Sequence, residues 1–361
     1  MADDRLSGAR VSRRAVLGGA LAAGAALGVG VGSAAGAPLS KFAFPTSSKL
    51  TVLVTGDAGT GGEAQYAVAA AARKVFASEP LSLTIGLGDN IYEDGAETAS
   101  DDEFRTKFEE PNAGLDVPWL MALGNHDNTL LIPGDGSWLS KGDREVAYHS
   151  LSRRWWMPSR YYSVALPADE PVVEFFVIDT NPLCSYVPAL LGRWSAEGPY
   201  MTEQKAWLRR ALAASTARWK IVCSHHPYLN NGPHGDAGAY DGVPLLPHVN
   251  GTFVKQWFEA DICGRAYVLL AGHDHSQQIL APTAASKGSW QVISGAAGKS
   301  VDGRSHATNE AHYQDFTNSG FMVLDVTGDS AGLRVYTVDV ATAEPTLAYR
   351  HDLSRDLPSQ Q

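Results

Sequence analysis

LTVLVTGD, residues 50–57, sets six apolar or β-branched residues in front of Gly56 and Asp57. A continuous run of this kind, bounded by glycine, is the pattern of a strand buried on both faces. It recurs four times. Residues 81–87 run into Gly88-Asp89-Asn90-Ile91-Tyr92 and residues 119–123 into Gly124-Asn125-His126-Asp127. Residues 220–223 run into Ser224-His225-His226-Pro227 and residues 267–271 into Gly272-His273-Asp274-His275. Helical spacing at 64–76, at 202–215 with Thr202 as its cap, and at 253–259 separates these strands. Two more strand-like runs, 161–166 and 172–179, lie between them. From residue 290 the pattern becomes all β, at 290–294, 320–326, 333–339 and 346–350. Strands alternating with helices predict βαβ units and a largely parallel sheet. The reading is one α/β domain with a sheet-rich C-terminal half.

Every motif that carries chemistry follows a strand. Ligands of open α/β sheets bind beyond the carboxyl ends of strands, so Asp57, Asp89, Asn125, His225 and His273 are expected to converge on one edge. Glycine beside each is expected to let the backbone turn sharply. Carboxylates, an amide oxygen, imidazoles and one phenol are the donors needed for two adjacent metal ions.

The chain has 361 residues, 44% hydrophobic and 19% charged, with a formal net charge of −10. A globular protein of that charge, without clustered Lys and Arg, is not a nucleic-acid binder. Cys184, Cys223 and Cys263 form an odd set with no CxxC, which argues against a thiolate zinc site. Cys223 is expected to pack inside a strand. Residues 1–37 read as a twin-arginine export signal, with Ser12-Arg13-Arg14 before an Ala- and Gly-rich apolar run and small residues for cleavage at 33–37. The expectation is a protein carried by the twin-arginine export machinery to the periplasm, the cell wall or the medium. No stable membrane insertion is expected after cleavage. Residues 38–361 then form a single catalytic domain.

The five motifs together resemble those of the calcineurin-like metallophosphoesterase superfamily, and more narrowly the purple acid phosphatases of the small, tartrate-resistant type. Tyr92, three residues after Asp89, carries the narrower resemblance. Weaker similarities run through Arg154-Trp155-Trp156-Met157-Pro158-Ser159-Arg160-Tyr161-Tyr162, Gln204-Lys205-Ala206-Trp207-Leu208 and Ser294-Gly295-Ala296. The resemblance implies a metallophosphoesterase-like sandwich of two mixed β-sheets flanked by α-helices. It implies Fe(III) held by Asp57, Asp89, Tyr92 and His275, and a second, divalent ion (Fe, Zn or Mn) held by Asp89, Asn125, His225 and His273. Asp89 would bridge the two. His126 would stand beside the substrate as a catalytic residue, stabilising the leaving oxygen or protonating it, and His226 would stay off the metals. His234 is a candidate second phosphate contact.

The physical logic agrees with that assignment. A free phenol ionises near pH 10, so Tyr92 as a phenolate calls for a strongly acidic ion such as Fe(III). Two carboxylates and one phenolate leave the charge of Fe(III) plus a divalent ion incompletely cancelled, which attracts phosphate to an acidic protein. In-line attack on a small phosphate monoester by metal-activated hydroxide follows. The competing readings are a phosphodiesterase with two divalent ions and a non-catalytic phosphate-binding protein. Gly295-Ala296-Ala297-Gly298-Lys299-Ser300 resembles a phosphate-binding loop but has Ile293 where the first glycine belongs, so no nucleotide site is expected there. The chain departs from the family at Ala58, often bulkier. It departs again in the loop 228–249, which lacks the cysteine that in animal relatives pairs with the segment near Cys184.

Overall fold

The quoted stretch forms β2 (Lys49–Thr55), whose residues from Leu50 to Thr55 are all buried. The computed structural model describes residues 9–10, 39–187, 189–299, 303 and 307–355. Ser12-Arg13-Arg14 and the cleavage stretch 33–37 lie outside the described residues. No helix among the described residues is long and apolar enough to cross a membrane.

β2 pairs in parallel with β3 (Leu83–Gly86), which pairs with β4 (Trp119–Met121), which pairs with β5 (Trp155–Trp156). On the other side of β2 the C-terminal strands β13 (Gly320–Thr327), β14 (Ser330–Asp339) and β15 (Glu344–Leu353) add antiparallel, giving a seven-stranded mixed sheet. A second sheet of eight strands has β7 (Val173–Val177), β8 (Trp219–Cys223), β9 (Val268–Ala271) and β11 (Trp290–Ser294) as its parallel centre. Around that centre lie β6 (Tyr162–Leu166), β10 (Gln277–Leu280) and β12 (Ala311–Asp315), all antiparallel, with the short β1 (Ala9–Arg10) at one edge.

The expected single parallel sheet is therefore two, as the family resemblance implied. Strand order along the chain is legible in the sequence; strand partners are not. Besides β1, inside the segment read as a signal, three strands escape the pattern for physical reasons. β5 is two residues long. β12 is half exposed. β10 begins with Gln277 and Gln278, fully buried amides that read as polar. Their side chains donate to Tyr336 O at 3.1 Å and Asn230 Oδ1 at 2.8 Å, which offsets the cost of burying them.

The side-chain period of two builds the layers. Phe175, Val177, Ile221 and Cys223 point between the sheets and join one core with Val52, Val54 and Ile85. Phe176, Ile178 and Val222 point outward and meet α3 (Pro199–Ala214) and α4 (Thr252–Trp257). α1 (Glu63–Phe76) places Val68, Ala71 and Ala72 in the first core, and the short α2 (Asp143–Tyr148) adds Tyr148. α3 starts at Pro199 behind Gly198, three residues before the expected cap Thr202. Proline suits that first helical position because its missing N–H would have no partner there. All three cysteines are buried and free, Cys223 packing as expected.

One buried charge cluster joins the sheets to the site loops. Arg160 Nε donates to Asp179 at 2.9 Å, with both side chains all but fully buried. The guanidinium also donates to Asn128 Oδ1 at 3.2 Å and Asp143 at 3.1 Å, while Asp179 accepts from Tyr200 at 2.8 Å. Removing one partner of a buried pair strands the other charge. Asp179→Ala is expected to lower unfolding stability by about 3 kcal/mol, read as a shift of the urea midpoint.

Candidate metal centre

The parallel strands of both sheets deliver their motifs to one end of the sandwich. β2, β3 and β4 lead to Asp57, Asp89 and Asn125; β8 and β9 lead to His225 and His273. Backbone hydrogen bonds lock the loops together: Asp57 N–H to Gly88 O at 3.1 Å, Gly59 N–H to Asp89 O at 3.2 Å, and Gly272 N–H to His225 O at 3.0 Å.

Gly88, beside Asp89, turns as expected (φ 90°), but the other three glycines serve a different purpose. Gly56, Gly124 and Gly272 keep ordinary backbone angles, and the left-handed conformation falls on Asp57 (φ 57°), Asp89 (φ 52°) and His273 (φ 70°). The glycines provide room. A Cβ on Gly124 would stand 2.2 Å from Asp89 Oδ1, and one on Gly272 2.5 Å from Asp57 Oδ2. Left-handed backbone at a non-glycine residue costs of order 1 kcal/mol, and strain of this kind concentrates at functional sites.

Two groups of donor atoms result. Tyr92 Oη lies 3.2 Å from Asp57 Oδ1 and 3.2 Å from His275 Nε2, and the latter is 3.9 Å from Asp57 Oδ1. In the second group, Asn125 Oδ1 lies 2.7 Å from His225 Nε2 and 3.0 Å from His273 Nδ1, and the two imidazole nitrogens are 3.2 Å apart. Asp89 stands between the groups. Its Oδ1 is 3.4 Å from His225 Nε2, and its charge acts on the Tyr92 phenol and on Asp57. Asp57, Asp89 and His225 each offer an atom within 4.8 Å of the others.

Hydrogen-bond accounting shows what this arrangement lacks. Asn125 Nδ2 donates to Gly134 O at 2.8 Å, which aims its oxygen at the histidines. His225 Nδ1 faces Leu87 O at 2.8 Å, a carbonyl that can only accept, so this nitrogen carries the proton. Burial holds the His225 pKa below its ordinary value, so its Nε2 is a bare lone pair. That lone pair faces the oxygens of Asn125 and Asp89, which are acceptors too. Burial likewise lowers His273. Burial, then the charge of Asp89, pushes Asp57 up, and burial with Asp89 and Asp57 pushes Tyr92 up. Burial also opposes ionisation of Asp89, but His225 and His126 hold it down at about 2. In the second group, converging lone pairs without protons between them fit a cation; in the first, an ion would replace the protons held by Tyr92 and Asp57. Donors on bonds of about 2.1 Å at right angles lie about 3.0 Å apart, close to the spacings within each group.

The remaining residues surround a pocket of about 160 Å³. His126 donates Nδ1–H to Glu93 O at 2.6 Å, and its ring stands 4.4 Å from that of Tyr92. His234 also lines the pocket, its ring 4.1 Å from His273. Burial opposes its charge, but Asp241 at 2.6 Å, with Asp274, raises its pKa. His226, expected off the metals, offers a nitrogen within 4.8 Å of His225 and His273; its Nδ1 is 2.8 Å from Thr180 Oγ1.

Several supporting residues carried no assignment in the sequence. Asp241 holds His234 and accepts from Tyr186 at 2.6 Å. Asp274 Oδ2 accepts the His234 N–H at 3.1 Å. Asp127 accepts from the backbone of Asn90, Ile91 and Gly124, and burial beside Asp89 pushes it up to about 7. Its position inside Gly124-Asn125-His126-Asp127 was the available signal. Lys299, at the end of the rejected phosphate-loop pattern, pairs with Glu93 and lies 4.6 Å over the Tyr92 ring.

Residues 50–277 match the family described as calcineurin-like phosphoesterase. The chain is 29% identical to tartrate-resistant acid phosphatase type 5 of Oryctolagus cuniculus, over 59% of this chain and 60% of that one. It is 27% identical to the Homo sapiens protein of the same name, over 73% and 74%. It is 31% identical to purple acid phosphatase 17 of Arabidopsis thaliana, over 66% and 67%. The match thus spans about three fifths of the rabbit protein. Among solved structures, a purple acid phosphatase from yellow lupin seeds superposes with a TM-score of 0.57 at 18% identity, covering 86% of this chain and 54% of that one. GAP50, the anchor in the inner membrane complex of Plasmodium, superposes with a TM-score of 0.61 at 16% identity, covering 87% and 90%. At those identities the likeness is one of fold.

Proposed function

Because the chain belongs to the calcineurin-like phosphoesterase family, we propose that it is an exported acid phosphatase, hydrolysing phosphate monoesters at a dinuclear Fe(III)–divalent metal centre. The observation that carries this reading is the pair of donor groups joined at Asp89, with a phenol in only one of them. The group with Tyr92, Asp57 and His275 suits the more acidic ion, and the group with Asn125, His225 and His273 a divalent one. Bound there, the ions would supply Lewis acidity and an activated water.

The chain's own residues do the rest. Asn125, fixed by Gly134, and His225, fixed by Leu87, hold their donor atoms in place before any ion arrives, so little reorganisation is needed on binding. Glu93 O holds His126 with Nδ1 protonated, leaving Nε2 to carry a proton to the departing alcohol. His234, charged through Asp241, contacts a phosphoryl oxygen from the opposite wall. The names of the acid phosphatase relatives support the monoester class. Ser12-Arg13-Arg14 supports twin-arginine export to the periplasm, the cell wall or the medium.

The test compares purified, metal-loaded protein on p-nitrophenyl phosphate and bis(p-nitrophenyl) phosphate at about pH 5, where water on a strongly acidic ion is still ionised. The monoester is expected to be cleaved at least about tenfold faster, since the diester offers one anionic oxygen fewer to the centre. Faster cleavage of the diester would overturn the monoester assignment.

A further inference from the structure

Ten of the fourteen large apolar side chains that stand exposed among the described residues lie on three loops, at 130–138, at 186–187 with 190–191, and at 245–246. Single exposed leucines are ordinary; a cluster at one opening is not. Of the ten, Tyr186 lines the pocket itself; Pro133 and Gly134 of the first loop and Val249, just after the third, line it as well, which brings the three loops to its opening. They are held in place. Asp135 accepts the N–H groups of Leu130, Leu131 and Ile132 at 2.9, 2.8 and 3.1 Å. Tyr186 N–H donates to Asp135 O at 3.0 Å, Ser185 N–H to His248 O at 2.9 Å, and Asn250 N–H to Leu246 O at 2.9 Å. The result is an apolar collar, with Leu131 74% and Leu245 91% exposed.

The charge of the wall narrows what fits. Asp89, Asp135 and Asp241 line the pocket, and no Lys or Arg is among the described residues that do. An ester with a second phosphate or a carboxylate in its alcohol part would bring that charge against Asp135, and the one cationic side chain on the wall, His234, is already paired with Asp241 and engaged with the transferred phosphoryl group. Resting on the phosphatase reading above, we propose that the preferred substrates are phosphate monoesters of uncharged, apolar alcohols. The phosphoryl group sits at the two donor groups, and the hydrocarbon lies across the collar. Water adds to phosphorus, the bond from phosphorus to the alcohol oxygen breaks, and the alcohol leaves with a proton.

The experiment measures kcat/KM of the metal-loaded protein on n-alkyl phosphates from butyl to decyl, each below its micelle-forming concentration, beside p-nitrophenyl phosphate and ATP. Complete burial of a methylene corresponds to about fourfold (about 0.8 kcal/mol), so an open collar predicts about twofold per methylene. ATP is expected to be cleaved at least about tenfold less efficiently than octyl phosphate, through the repulsion described. The double variant Leu131→Ser, Leu245→Ser is expected to flatten the chain-length slope. Phosphatidic acid in phosphatidylcholine vesicles separates the sources: cleavage there as well as of dissolved octyl phosphate supports the inference with a bilayer as the source, and cleavage of octyl phosphate alone supports it with dissolved esters. A flat series with p-nitrophenyl phosphate still cleaved, or a slope unchanged in the double variant, overturns the collar's role and leaves the phosphatase reading standing. No cleavage of any ester overturns the reading on which it rests.

Discussion

Asp89→Asn is expected to lower kcat on p-nitrophenyl phosphate on the order of 1,000-fold, the upper end for removing one charge-stabilising group. Asp89 stands between the donor groups, its Oδ1 3.4 Å from His225 Nε2 on one side and an oxygen within 4.8 Å of Asp57 on the other. Asparagine keeps its size and tolerates the left-handed backbone at this position (φ 52°), so the loop stays in place. It removes one negative charge and one shared oxygen. Metal content measured after dialysis is expected to fall from about two ions per chain towards one, because a single site loses its shared ligand. Unchanged circular dichroism with lost metal and lost turnover is the expected combination. A variant that keeps both ions and more than about a tenth of wild-type kcat would remove Asp89 from the bridging role.

His126→Ala is expected to act through the leaving group. General acid catalysis contributes about 100-fold or more where the departing oxygen needs a proton, and far less where it does not. Alkyl phosphates are therefore expected to lose at least about 100-fold in kcat, and p-nitrophenyl phosphate about tenfold. His126 suits the role because Glu93 O fixes Nδ1 as a donor and its ring lies on the pocket wall beside Tyr92. Equal losses on both esters would make His126 a positioning residue and not the acid.

How much of this was legible in the sequence depended on the kind of information. Residues 50–55 and Val268–Ala271 announced themselves because strands buried on both faces are apolar or β-branched throughout. Convergence of their motifs followed from strand direction, although the residues arrive from two sheets and not from one. Partner choice between sheets is set by packing across a core, such as Ser294 Oγ donating to Val54 O at 2.9 Å, and nothing local encodes it. Gln277–Leu280 was hidden because its buried amides find partners supplied by Asn230 and Tyr336, distant in sequence. The same holds in the site. Asp57, Asp89 and His273 were visible as donors, and Gly88 turns as its type suggests, while the donors' left-handed backbones, and Gly56, Gly124 and Gly272 serving as space, emerge only where two loops meet. Asp241 was unassigned because a loop carboxylate looks solvated until His234 and Tyr186 are seen on it.

The account stands most directly on the contrast between the two donor groups. Metal analysis and a visible absorption spectrum on one purified sample, with Tyr92→Phe alongside, test it. The account predicts about one iron and one further ion per chain, a visible phenolate-to-iron band in the wild type, and its loss in the variant. A colourless wild-type protein that holds zinc alone and still hydrolyses phosphate esters would contradict it.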